Sequence, residues 1–142
     1  WYLTYIDDRS RKIMASGKFS NANTKNALFV LYQAILQNEV CPAIILSDKG
    51  SQFYANKKGK KGKKGTSEFE EELKELGIDF WTSRRNHPQT NGKMERWFGS
   101  MKSRFKRHPK ETLQDFVKWY NEERIHHALD YKTPEKVYRE NL

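Results

Sequence analysis

Short apolar runs and helical stripes alternate along this chain, and their order predicts an α/β fold. The opening "WYLTYIDD" is aromatic and β-branched with little alternation, so residues 1 to 7 read as a buried strand. "RKIMASGKF", about 11 to 19, is a second strand, and "DDRS" between them is a tight turn, which makes the pair an antiparallel hairpin. Asn23 or Thr24 then caps a helix reaching about Gln37, with Leu28, Leu31 and Ile35 on one stripe. "AIILS", 43 to 47, is short and uninterrupted, the pattern of a central strand buried on both faces.

Later segments continue the series. Ser67 and Glu70 in "SEFE" form a capping box for a helix that stops at Gly77, and "IDFWT", 78 to 82, is another strand. A loop holding Pro88 and the Asn91–Gly92 pair precedes a helix from about Gly92 to Arg107, which Pro109 ends. Leu113, Phe116, Val117 and Tyr120 recur at helical spacing, and "TPEKVY" opens a last short helix with Pro134 in its first turn. These 142 residues suffice for one domain with a core, expected to span 1–142 with a flexible Lys/Gly loop at 56–66 and a C-terminal helical extension at 111–142.

Charge adds a partner to this picture. The net charge is +9 and the pI about 9.6, which suits a polyanion such as nucleic acid. Lys57, Lys58, Lys60, Lys61, Lys63 and Lys64 in "KKGKKGKK" supply six of those charges in a block that cannot bury apolar area. This block reads either as a solvated insertion or as a grip on phosphates. The single cysteine, Cys41, excludes an internal disulfide and a multi-cysteine metal site and reads as a buried packing residue. No apolar run is long enough to span a bilayer, and no signal pattern opens the chain, so a protein of the cell interior with no membrane partner is expected.

The candidate chemistry lies in carboxylates set among cations. Between Arg84 and Lys110 there are nine lysines and arginines but one acid, Glu95. On a helical wheel Met94, Trp97, Phe98, Met101 and Phe105 share the core arc, while Lys93, Arg96, Arg104 and Arg107 face outward. Glu95 falls at the edge of that arc, in one row with Lys102 and Lys106. A first-turn glutamate favouring the helix dipole, or paired with one of those lysines, would look the same. Asp48 follows the strand "AIILS", and ligands collect at the carboxyl ends of central strands. Two carboxylates in a basic setting match a Mg²⁺ site acting on a phosphodiester.

"LSDKGSQF", "HPQTNGKMERWFGSMK" and "YNEERIHHALDYKTPEKVY" resemble the catalytic core of retroviral-type integrases and, more closely in the C-terminal third, insertion-sequence DDE transposases. The resemblance implies a ribonuclease H-like mixed sheet flanked by helices and a polynucleotidyl transferase that nicks DNA and transfers strands. It implies DNA and further copies of the chain as partners, in a prokaryotic cytoplasm and on the nucleoid when acting. It also implies a site of two aspartates and a glutamate holding two Mg²⁺ or Mn²⁺ ions, with Asp48 as the second acid, Glu95 as the third and Lys102 approaching DNA. Lys106, Lys93, Arg96 and the six loop lysines extend that DNA-facing set. "NHPQTNG" would then be a mobile loop hinged at Gly92, in which His87 can touch phosphate.

Two features depart from the family. The interval from Asp48 to Glu95 is longer than usual by about the length of Asn56–Thr66, which reads as an insertion. The family's first aspartate lies on a strand that would precede Trp1, so this fragment is expected to lack that strand and acid and to be inactive alone. Asp7 and Asp8 match a hairpin turn rather than the site, and His126 and His127 read as packing or surface groups rather than metal ligands. A non-catalytic DNA-binding or dimerisation remnant and a ribonuclease H-like nuclease stay open as alternatives.

Overall fold

The hairpin is the centre of the molecule. In the computed structural model, which describes residues 1–47, 68–82, 88–140 and 142, strand β1 (Tyr2–Ile6) pairs antiparallel with β2 (Ile13–Lys18). Asp7 shapes the turn: its Oδ2 accepts from the Ser10 backbone N–H at 2.9 Å and from the Ser10 hydroxyl at 2.6 Å. Arg11 completes it with φ of 63°, left-handed backbone that favours glycine.

Register breaks once, between Tyr5 and Ile6: Tyr5 faces Ala15 but Ile6 faces Ile13, leaving Met14 as the extra residue of a bulge. The bulge sends Ala15 with Leu3 and Tyr5 to one face and Ile13 with Tyr2 and Ile6 to the other. Each face therefore gets its own core. Helix α1 (Thr24–Asn38) covers the first, capped by Asn23, whose side chain accepts from Asn26 N. Its buried stripe is Ala27, Val30, Leu31 and Ala34. Leu28 and Ile35, expected at the centre, are only partly buried, because small alanines let the helix sit closer along an adjacent line.

Beyond α1 lie β3 (Ile44–Ser47), α2 (Glu68–Glu75) and β4 (Asp79–Thr82), with β3 and β4 parallel and Ile45 opposite Phe80. Three acids in the first turn of α2 complement its dipole, and Gly77, at φ of 72°, ends it with the Ile78 N–H bonded to the Leu73 carbonyl. Ser67, the expected cap, lies outside the described residues. The expectation of a strand buried on both faces is corrected: only Ile45 of β3 is buried, while Ile44 and Leu46 are 43% and 44% exposed. Among the described residues the two strand pairs form separate sheets. Cys41, expected to be buried, is exposed on the connector before β3.

Helices α3 (Pro88–Arg107) and α4 (Leu113–Glu122) build the second core on the hairpin's other face. Trp97 and Phe116 are fully buried, ring centroids 5.8 Å apart, with Met101 and Tyr120 beside them. Helix α3 starts at Pro88 rather than near Gly92: proline fits a first helical position, and the turn signal of Asn91–Gly92 yields to helix continuation. The hinge expected at Gly92 is thus inside a helix. Thr112 and Asp115 form a reciprocal capping box on α4, and Thr133 caps α5 (Pro134–Arg139). No helix among the described residues is long and apolar enough to cross a membrane.

One buried side chain ties α4 to the bulge. The Asn121 amide accepts from the Ile13 N–H at 2.8 Å and donates to the Ile13 carbonyl at 3.0 Å. Replacing it with leucine of similar size would leave two buried backbone groups unpaired. Asn121→Leu should therefore lower unfolding free energy by about 2–4 kcal/mol, read from the urea midpoint; a loss within experimental error would show that the clamp is dispensable.

Candidate functional site

Helix α3 carries the carboxylate of interest because two demands meet on it. Its apolar stripe must reach Phe116 of α4, and its other faces must stay soluble, so charged residues crowd the remainder. Glu95 falls outside the stripe and is exposed, beside half-buried Met94 and Phe98. That is more open than the core-edge position expected from the wheel. It makes no ion pair with any described residue. Of the alternatives, pairing with Lys102 or Lys106 does not occur, so among the described residues the carboxylate has no cationic partner.

Asp48 and the six loop lysines lie outside the described residues, as does His87. The frame around Asp48 is described up to its neighbour: β3 ends at Ser47, whose register partner is Thr82 at the end of β4. From Thr82 the chain leads by five residues into α3. Among the described residues no group of three or more His, Cys, Asp or Glu side chains is placed to hold a metal ion. Carboxylate oxygens suit Mg²⁺ or Mn²⁺ in kind, and Glu95 fits that role by being unpaired.

The cations of α3 divide into two groups. Lys102 and Lys106 are exposed and unpaired with any described carboxylate. Lys93 instead reaches back to the hairpin turn, donating from Nζ to Asp8 Oδ1 at 2.7 Å and to the Asp8 carbonyl at 2.9 Å. Arg104, expected to face outward, is half-buried: its guanidinium forks onto Glu111 at 2.9–3.0 Å and stacks 3.9 Å from the Trp119 ring centroid. Its role is to fasten the α3–α4 connection. Arg96, next to Glu95, is exposed and lines a small cavity with Arg11, Arg124 and His126.

His126 is a packing residue, as expected. Its ring meets Tyr120 edge-on with centroids 5.0 Å apart, but its Nε2 is buried without a partner among the described residues. Burial, then the positive fields of Arg124 and Arg11, push it down to about 4. His127 stays exposed against Tyr131. Linear reasoning could not find Arg11 and Arg124 as neighbours of Arg96, since the fold alone brings the hairpin turn, α3 and the chain after α4 together.

The sequence and the structure both have relatives. Sequence profiles of the integrase core domain match residues 1–88 and residues 76–134. The chain is 27% identical over 146 aligned positions to the transposase of insertion sequence IS904 from Lactococcus lactis subsp. lactis strain IL1403, covering 96% of this chain and 53% of that protein. It is 28% identical to a putative integrase, ORF3, of Spiroplasma virus SpV1-C74, covering 92% of this chain and 39% of that one. The chain thus spans about half or less of the curated relatives it matches. Among solved structures, the HTLV-2 integrase catalytic core, in complex with magnesium and in a trimeric form, superposes with TM-score 0.67 at 18% identity, over 94% of this chain and 81% of that one. The fold is accordingly the ribonuclease H-like α/β fold of integrase cores.

A histidine charged in the unfolded chain but neutral when folded makes stability pH-dependent. Stability is full above the unfolded value near 6.5 and is lost as pH falls from there towards about 4, because the unfolded state takes up the proton first. Tyr120, Arg11, Arg124, Arg96 and Lys93 are the titratable or charged groups sharing its cavity. Urea midpoints at pH 7 and pH 5 should differ by more in the wild type than in His126→Gln; equal differences would exclude His126 as the source.

Proposed function

Because this chain belongs to the integrase core domain family, we propose that it forms the catalytic core of a DNA transposase or integrase that performs metal-dependent nicking and strand transfer. In this reading Glu95 and Asp48 hold Mg²⁺ or Mn²⁺ as carboxylate ligands. Bound ions would supply the activation of a water or DNA 3′-hydroxyl and would offset charge on the leaving oxygen. Lys102, Lys106, Lys93 and Arg96 line the DNA backbone along α3, and the loop lysines extend that contact. DNA and further copies of the chain are its partners.

The observation that carries the reading is the state of Glu95. An exposed carboxylate, in a helix dense with cations and yet without a described cationic partner, is poorly explained as part of a stabilising ion pair. It is well explained as a ligand kept available for a cation that arrives with DNA. The position of Asp48, one residue after Ser47 at the carboxyl end of β3, agrees with that use.

In the intact protein, Glu95→Gln and Asp48→Asn should each reduce Mg²⁺- or Mn²⁺-dependent nicking by more than about 100-fold, the upper range for losing an outer partner of a metal ligand. Undiminished turnover in either variant would remove that residue from the site. Replacing the six loop lysines with glutamine should flatten the dependence of log K on log salt by up to about 5, near 0.9 for each phosphate that is no longer neutralised. An unchanged slope would show that the loop does not touch DNA.

A further inference from the structure

Three arginines converge where no described acid answers them. Arg11 from the hairpin turn, Arg96 from α3 and Arg124 from just beyond α4 line a cavity of ≈ 190 Å³ together with Lys93, Ser100, Tyr120, His126 and Ile6. None of the three arginines pairs with a carboxylate among the described residues. Lys93 alone is answered, by Asp8 of the hairpin turn. Folding therefore gathers like charges from three segments distant in sequence, an arrangement that costs repulsion unless something negative enters.

The wall of the cavity also carries a buried imidazole. His126 Nε2 is buried and unpartnered, although buried polar atoms are normally paired. The ring cannot easily turn away, since it packs edge-on against Tyr120 and its backbone N–H is bonded to the Lys132 carbonyl at 3.1 Å. Arg124 is likewise pre-positioned, 5.3 Å from the Tyr120 ring centroid. The volume is below the roughly 300–1,000 Å³ of small-molecule pockets, and fits a single group better than a whole nucleotide.

We propose that this cavity is a binding site for one phosphate oxyanion, held by the guanidinium groups of Arg11, Arg96 and Arg124, with the His126 ring in its wall as a reporter of occupancy. Guanidinium forks match phosphate oxygens in geometry, and the Ser100 hydroxyl on the wall adds a neutral donor. The site is separate from the carboxylate of Glu95, which points about 100° away from Arg96 around the helix. The oxyanion is a DNA backbone phosphate, in which case the site rests on the integrase reading, or a free phosphate, in which case it does not.

The test follows the His126 ring by NMR in the isotope-labelled 142-residue chain during titration with inorganic phosphate, at constant ionic strength set by chloride. Saturable movement of the ring signals is expected, with affinity lowered by about tenfold in Arg96→Gln, as for loss of one charge-assisted hydrogen bond. Arg96 is exposed, so this variant should keep the wild-type fold; Arg11→Gln is the second variant. No saturable movement, or wild-type affinity in both folded variants, would overturn the site. A short DNA duplex that displaces phosphate identifies backbone phosphate as the source. Phosphate binding undisturbed by DNA supports the site with free phosphate as its ligand. Glu95→Gln should bind phosphate like the wild type, so a failure of DNA nicking and a failure of this cavity can be told apart.

Discussion

A single amide holds the two halves of the core in register. Asn121 offers the Ile13 backbone the two hydrogen bonds that another strand would have given, at the point where the bulge has spoiled regular pairing. Without the bulge, Ile13 would turn to the α1 side and the second core would lose the residue on which Trp97, Met101 and Tyr120 converge. The clamp also fixes where α4 ends relative to the hairpin turn. Both the attitude of α3 and the grouping of Arg11 with Arg124 depend on it.

Electrostatics on α3 follow from that placement. One side of the helix is spent on aromatic packing, so its cations must either find acids nearby or remain unpaired in solvent. Arg104 and Lys93 find Glu111 and Asp8, and both pairs are bridges between segments. Among the described residues Lys102, Lys106 and Arg96 find no acid, and Glu95 finds no cation. Exposed ion pairs contribute little to stability, so leaving these groups unpaired costs the fold little.

Much of this is legible in the chain itself. The order of strands and helices, the hairpin turn at Asp7–Ser10, the stop at Gly77 and the caps at Asn23 and Thr133 are local matters, decided by side chains within a few residues. What is not legible depends on competition or on distance. Asn91–Gly92 is a good turn signal alone but loses to a helix already begun at Pro88. The apolar run of β3 cannot say how many of its faces are covered, and Cys41 cannot reveal that its connector lies at the surface. Glu95 is recognisable as a candidate from its neighbours; that it is unpaired needs three dimensions. The arginine cavity needs them more, since Arg11, Arg96 and Arg124 share no motif.

The exposed side of the β3–β4 pair has a bearing on how the protein behaves in a tube. Ile44, Leu46 and Trp81 are 43%, 44% and 57% exposed and lie on one face, since Trp81 is the register partner of Leu46. At low ionic strength the net charge of +9 keeps such faces on different molecules apart. Added salt shortens the reach of that repulsion to a few ångströms while leaving apolar attraction intact. Added salt thus trades charge repulsion for apolar contact, so colloidal stability is greatest at low ionic strength.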